Sequence, residues 1–328
     1  MGQLRKRGAI SCIDAPGKAG ISNGMIKPMH ILVALLMLLT GPVAAQQRHP
    51  VLQPVLAQPA PRVLKPALWK LVDADTTIYL FGTIHALPKD LVWLDGPLAT
   101  ALESSDELVT EILPPQQDAL QALVLRRALL PKGQSLRSIL TGAQYQAYAS
   151  AMQANRMPAV MFDRFKPWYV AVALTTLPLL RDGYAVENGV EQQLAARMQA
   201  LGKQHSALET IEFQLAMFDD LPPETQRKFL LDVVAGQGEL RAQLDLMVTE
   251  WGQGSAVKLA EMLNDDNEDP ATKAALFTNR NRDWTGWIGQ RMARPGTVFM
   301  AVGAGHLAGQ DSVLDMLEQQ GQLATRVQ

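Results

Sequence analysis

Two histidines share one context. His85 ends Gly82-Thr83-Ile84-His85, His306 ends Gly303-Ala304-Gly305-His306, and each motif closes a short apolar run. Imidazole titrates near neutral pH and is the commonest metal ligand, so such a residue can serve as a general base or hold a cation. Two acids stand at comparable points: Glu111 closes Leu108-Val109-Thr110, and Glu209 follows Ser206-Ala207-Leu208. A carboxylate beside an apolar strand is costly to bury unless it is paired or bound to a cation. Two imidazoles and a carboxylate with an open position make a transition-metal site able to activate water. Each piece also has an ordinary reading. A lone Gly-x-x-His recurs by chance, and strand-end glutamates sit at solvated loop mouths. The matched context of His85 and His306 favours function. His205 opens a strand and reads as structural, and His49 lies in a Pro- and Gln-rich stretch.

Other motifs fall away. Gly303-Ala304-Gly305-His306-Leu307-Ala308 fits a relaxed dinucleotide pattern, but only 20 residues follow it, too few for a βαβ unit. Asp265, Asp266, Asn267, Glu268 and Asp269 resemble a calcium loop, yet Pro270 stands where glycine is needed and Leu276 where the bidentate glutamate belongs. Neither Thr83 nor Ser206 has a G-x-S-x-G setting.

The elements around these residues must bring them together. Residues 76–82 are rich in β-branched and aromatic types and read as a buried strand, paired as a hairpin with 67–72 across Asp73-Ala74-Asp75. A helix over 95–105 followed by a strand over 107–112 makes a βαβ unit, which argues for parallel strands. Residues 204–209 and 297–302 supply two more strands, and 323–327 a closing edge strand. Helical periodicity fills about 115–183, with one helix over 161–180 kinked at Pro167 and Pro178, and about 211–294; an amphipathic helix over 186–201 lies between them, and a helix capped by Asp311 follows the strand over 297–302. The class expected is α/β: a mixed, mostly parallel central sheet with large helical insertions. If the strands run parallel, His85, Glu111, Glu209 and His306 meet on one edge, the edge where ligands bind in open α/β sheets.

Composition sets the setting. The chain has 328 residues, 48% hydrophobic and 19% charged, with formal net charge -2, so no basic excess points to nucleic acid. Arg5, Lys6, Arg7, Lys18 and Lys27 precede the apolar run 31–39, then Gly41, Pro42 and the small residues 43–45. That order is a secretory signal over 1–45, with 1–24 read as a misassigned start. Its apolar run is too short for a bilayer span of about 20 residues. Residues 46–66 read as a linker, and 67–328 as the folded domain. The single cysteine, Cys12, precedes the apolar run, so the exported chain has neither disulfide nor thiolate. The expectation is a protein of a Gram-negative periplasm, free of the membrane once the signal is removed.

Taken in order, Phe81-Gly82-Thr83-Ile84-His85 with Pro88, Leu108 to Ile112, Gly202-Lys203, Leu208-Glu209-Thr210 with Gln214, Arg280-Asn281, and Val302 to Leu307 with Gly309 resemble the TraB/GumN family. That family is similar to the Tiki metalloproteases and the erythromycin-esterase-like fold. The similarity spans about 67–327. It implies a divalent-metal-dependent hydrolase, with peptide bonds one candidate target and Mn²⁺, Co²⁺ or Zn²⁺ the candidate cofactor. By position it puts the metal ligands on His85, Glu111 and His306, supported by Gly82, Gly303, Gly305 and Gln214. Glu111 and Glu209 are the catalytic acids it suggests, with Arg280 and Asn281 a polar pair suited to a substrate carbonyl or oxyanion. Thr110 departs from the pattern, where an apolar residue is usual. The candidate substrates are peptides and small molecules, with no one of them singled out. The rival expectations are a non-catalytic envelope protein binding a peptide or saccharide, and a metal or heme carrier on the same fold.

Overall fold

A computed structural model describes residues 62–263 and 270–328. The expected leader, most of the linker and the acidic run at 265–269 lie outside the described residues.

The described residues form ten strands: β1 (Arg62–Val63), β2 (Leu68–Val72), β3 (Thr76–Thr83), β4 (Leu87–Pro88), β5 (Leu91–Val92), β6 (Glu107–Thr110), β7 (Tyr184–Ala185), β8 (Gln204–Ala207), β9 (Gly296–Gly303) and β10 (Thr325–Arg326). Six of them make the central sheet, in the order β10-β2-β3-β9-β6-β8. The four strands β3, β9, β6 and β8 run parallel, and β2 and β10 add an antiparallel edge. The β2–β3 hairpin turns at Asp73, whose Oδ1 accepts from Thr76 N at 2.8 Å and Asp75 N at 3.1 Å, the local bond that makes aspartate a turn residue.

Parallel strands buried on both faces read as unbroken apolar runs, which explains Val298-Phe299-Met300-Ala301-Val302 in β9. Phe299 and Ala301 face one layer with Phe81, Trp93 and Trp251. Val298, Met300 and Val302 face the other, with Trp284, Ile288 and Leu317. The molecule is therefore α/β, a mostly parallel sheet covered by helices on both sides. A third core, including Tyr148, Trp168, Phe218 and Leu230, lies wholly among helices inserted between β6 and β9.

Several local features differ from the periodicity reading. Residues 161–180 are not one helix: a short 3₁₀ turn, Ala159–Phe162, precedes the helix Pro167–Arg181. Pro167 does not kink that helix but starts it, where its missing N–H costs nothing. Pro178 does lie inside, and the Leu174 carbonyl that it leaves without a helical donor accepts from Gln237 Nε2 at 3.0 Å. The last helix, Val313–Gln319, is capped by Ser312 rather than Asp311: Ser312 Oγ accepts from Asp315 N, while Asp311 sits at φ 59°. The tail of the expected linker is structured, since β1 pairs with β5 and Leu64 is buried. Among the described residues no helix is long and apolar enough to cross a membrane.

Candidate functional site

The parallel register brings the strand ends level. Gly82 pairs with Val302 and Thr83 with Gly303, so the two Gly-x-x-His motifs leave adjacent strands side by side. The β6–β8 ladder continues past the strands, with Leu208 N donating to Thr110 O and Glu209 N to Glu111 O at 2.8 Å. Those bonds set the two acids next to one another. Thr110, the unusual residue, is satisfied: its Oγ1 donates to Ile112 O and lies 2.8 Å from His205 Nε2. That contact also accounts for His205 as a structural residue. His85, Glu111, His306, Arg280, Asn281 and Gln214 are all buried.

Glycine is required where the loops cross. A Cβ on Gly82 would stand 3.0 Å from Ala304 Cα, so its absence lets the β9 loop pass over β3. A Cβ on Gly189 would stand 2.1 Å from the His85 carbonyl oxygen. Gly303 contributes its backbone, its N–H donating to Glu111 Oε1 at 2.7 Å. Gly305 has no such constraint, its nearest would-be contact being Leu263 at 3.4 Å.

Arg280 is the hub. Its Nη2 donates to Glu111 Oε2 at 2.6 Å and to Glu209 Oε2 at 2.8 Å, and its Nε donates to Glu209 Oε1 at 2.7 Å. The two bonds to Glu209 form a planar fork that lysine could not make. Gln214 Nε2 bridges the same two carboxyl groups at 2.9 and 3.0 Å, and Trp284 Nε1 donates to Glu209 Oε1. Burial alone would raise the Glu111 carboxyl, but Arg280, then His306, His85 and the Gly303 N–H, outweigh it and hold it at about 2. Arg280 reaches this point through a π-helical turn, Ala274–Thr278, just before the helix Asn279–Met292. Such turns insert one residue and recur at functional sites. Here the turn also places Phe277 against the His306 ring, at 5.0 Å between centroids, and Leu276 O under Arg280 Nη1.

His306 is fixed on both nitrogens. Nδ1 lies 2.6 Å from Asn281 Oδ1, and Nε2 lies 3.0 Å from Arg280 Nη1. Guanidinium only donates, so Nε2 accepts and Nδ1 carries the proton. Burial, reinforced by Arg280, pulls the ring down to about 3, so it is neutral. Asn281 supports the ring, and its Nδ2 is used on Asp311 O at 2.8 Å.

His85 has different company. Its Nδ1 lies 2.5 Å from Glu191 Oε1, and its Nε2 is buried without a partner. Glu191 Oε1 also accepts from Thr83 Oγ1 at 2.5 Å, while Glu191 Oε2 is buried without a partner. Burial would lower His85, but Glu191, and more weakly Glu111, carry it above its ordinary value.

The model of the TraB/PrgY/gumN family matches residues 67–326. The chain belongs to that family. It is similar to the uncharacterized protein YbaP of Escherichia coli K12, 25% identical over 255 residues, which span 77% of this chain and 92% of the relative. YbaP of Shigella flexneri matches to the same extent. No solved structure matches the chain.

This TraB/PrgY/gumN member thus brings His85, Glu111, Glu209, Arg280, Asn281, Gln214 and His306 to one edge of its sheet. Sequence reasoning passed over Glu191, Gly189 and Trp284. Glu191 sits in the first turn of the helix Val190–Ala200, where an acid ordinarily complements the helix dipole from the surface. Its one warning was an exception to pattern: it lies beside Val190, on the buried face. Among the described residues no three His, Cys, Asp or Glu side chains are already arranged around one cation point. The donor chemistry nevertheless fits a cation. Two carboxyl groups face the Arg280 guanidinium and a third, on Glu191, faces His85, and at this edge His85 Nε2 and Glu191 Oε2, both of metal-ligand type, are buried without partners.

Proposed function

We propose that this protein is an exported hydrolase that depends on a divalent cation and acts on an acyl bond, with peptides the first candidate substrates. The observation that carries this reading is the unsatisfied edge of an otherwise saturated network. Nearly every polar atom around Arg280 has a partner, whereas His85 and Glu191, on the adjoining strand and helix, keep buried atoms with none. A bound divalent cation would supply Lewis acidity for a carbonyl and lower the pKa of water.

The chain's own residues divide the remaining work. His85 and Glu191 offer the unengaged ligand atoms, beside Glu111 and His306. A carboxyl held at about 2 and an imidazole at about 3 are poor proton acceptors at neutral pH, so Glu111 and His306 act as fixed anchors rather than as bases. Arg280 holds Glu111 and Glu209 in register. Asn281 fixes the His306 tautomer. The basic, apolar and small-residue order of 1–45 supports export.

The test is hydrolysis of a peptide and ester panel by the purified protein. Turnover that EDTA abolishes and Mn²⁺, Co²⁺ or Zn²⁺ restores is expected, and turnover untouched by chelation contradicts the cation's part. A second reading, a non-catalytic envelope protein that binds a peptide or saccharide, draws on the saturation of Arg280 by Glu111, Glu209 and His306. Saturable ligand binding with no turnover under any cation would favour it.

A further inference from the structure

We propose that Glu191 is a direct ligand of the cation, paired with His85, so that the metal sits on the β3 side of the site and not centrally on Glu111. This rests on the cation-dependent reading above. Glu111 has little left to offer as it stands: Oε1 takes the Gly303 N–H, and Oε2 takes both Arg280 and Gln214. His306 Nε2 is occupied by Arg280. His85 and Glu191 are the opposite case. Each is less than a tenth exposed; His85 Nδ1 touches only Glu191 Oε1, at 2.5 Å, and His85 Nε2 and Glu191 Oε2 are buried without a partner. Buried polar atoms are rarely left so, and an imidazole beside a carboxyl group is a ligand pair for a transition metal.

The fold holds this pair as deliberately as it holds the Arg280 cluster. Thr83, fully buried at the end of β3, donates to Glu191 Oε1 and thereby orients the carboxyl group, as outer-shell donors commonly do. Val190 N donates to Ile84 O at 3.0 Å, and Gly189 packs its bare Cα against the His85 carbonyl. β4 pairs with β7 just beyond, Leu87 opposite Ala185. The segment that carries His85 and the segment that leads to Glu191 are therefore bonded on both flanks. An acid placed only for the helix dipole needs none of this, since that effect operates at the surface. An acid placed only to accept from Thr83 would not leave its second oxygen buried and bare.

Mn²⁺ binding by the metal-free protein, followed by calorimetry and by the electron paramagnetic resonance of free Mn²⁺, tests the assignment without any substrate. Glu191→Gln keeps the size and removes the charge. It is expected to weaken Mn²⁺ binding by about 10- to 100-fold or more, the range seen when a metal's supporting groups are lost, with an unchanged circular dichroism spectrum. Thr83→Val, which leaves the carboxyl group in place, is expected to weaken it by a smaller factor and serves in its stead should Glu191→Gln not fold. Nitrogen coupling to bound Mn²⁺ should be present in the wild type and diminished in His85→Gln. Folded Glu191→Gln that binds Mn²⁺ as the wild type does overturns the role of Glu191 and leaves His85, Glu111 and His306 as the ligand set. A wild type that binds neither Mn²⁺, Co²⁺ nor Zn²⁺ overturns this assignment and the cation-dependent reading together.

Discussion

Arg280 carries opposite obligations from those of an ordinary surface arginine. It is buried, it holds two buried carboxyl groups, and its guanidinium stacks over Trp284 at 4.7 Å. Removing one partner of such a set strands the others, so Arg280→Met is expected to lower stability by about 3–5 kcal/mol, read as a fall in midpoint on urea unfolding. A wild-type midpoint would show that the acids do not depend on it. The imidazoles set a pH dependence whose sign can be worked out. His306 titrates lower in the fold than the ordinary 6.5, so the stability it represents is present above 6.5 and is lost as pH falls toward 3. Glu111 acts in the same sense between 4.5 and about 2. His85, raised in the fold, acts oppositely and loses its contribution as pH rises through its folded value. In chelator the protein should therefore lose stability between pH 7 and 3, with the fall below 6.5 flattened in His306→Gln. A thermal midpoint that is level across that range would contradict the neutral, buried state of His306. At this scale the two histidines, both glutamates and the Arg280-Asn281 pair were legible from motif and resemblance. Their division of labour was not, because the atom that each nitrogen or oxygen faces depends on residues far away in sequence.

Elements decide whether those side chains meet. Gly189 has an ordinary φ of -58°, so nothing in its backbone asks for glycine; the His85 carbonyl does, lying where a Cβ would be. Gly189→Ala is accordingly expected to push the helix Val190–Ala200 from β3, weaken cation binding, and cost about 1–3 kcal/mol as an overpacked contact. Calorimetry with Mn²⁺ and thermal unfolding check both parts, and an alanine variant equal to wild type in both would show that the loop yields freely. The strands were readable because apolar runs such as Val298 to Val302 are what a doubly covered parallel sheet requires. Long helices were readable in number more than in detail. Pro167 has two meanings, kink or start, and only the 3₁₀ turn and break before it decide between them. The π turn at Ala274–Thr278 leaves no periodic trace, yet it aims Arg280 and Phe277 at His306.

For the molecule as a whole, topology does the assembling. Strands β3, β6, β8 and β9 are separated in sequence by helical insertions, but their parallel order places His85, Glu111, Glu209 and His306 on one rim. That convergence followed from the βαβ reading of residues 76–112 and from the matched motifs. The first turn of a helix on the sheet's flank, which supplies Glu191, did not follow, since an acid at a helix start is the commonest of placements. The same sheet edge could host a purely structural charge cluster, and one observation separates that from a cation centre. Crystals of the protein soaked in Mn²⁺ should show, at the manganese absorption edge, one strong anomalous peak per chain at the carboxyl ends of β3 and β9, within bonding distance of His85 and Glu191. Crystals that diffract well and show no such peak there, or peaks only on the outer surface, would contradict the account.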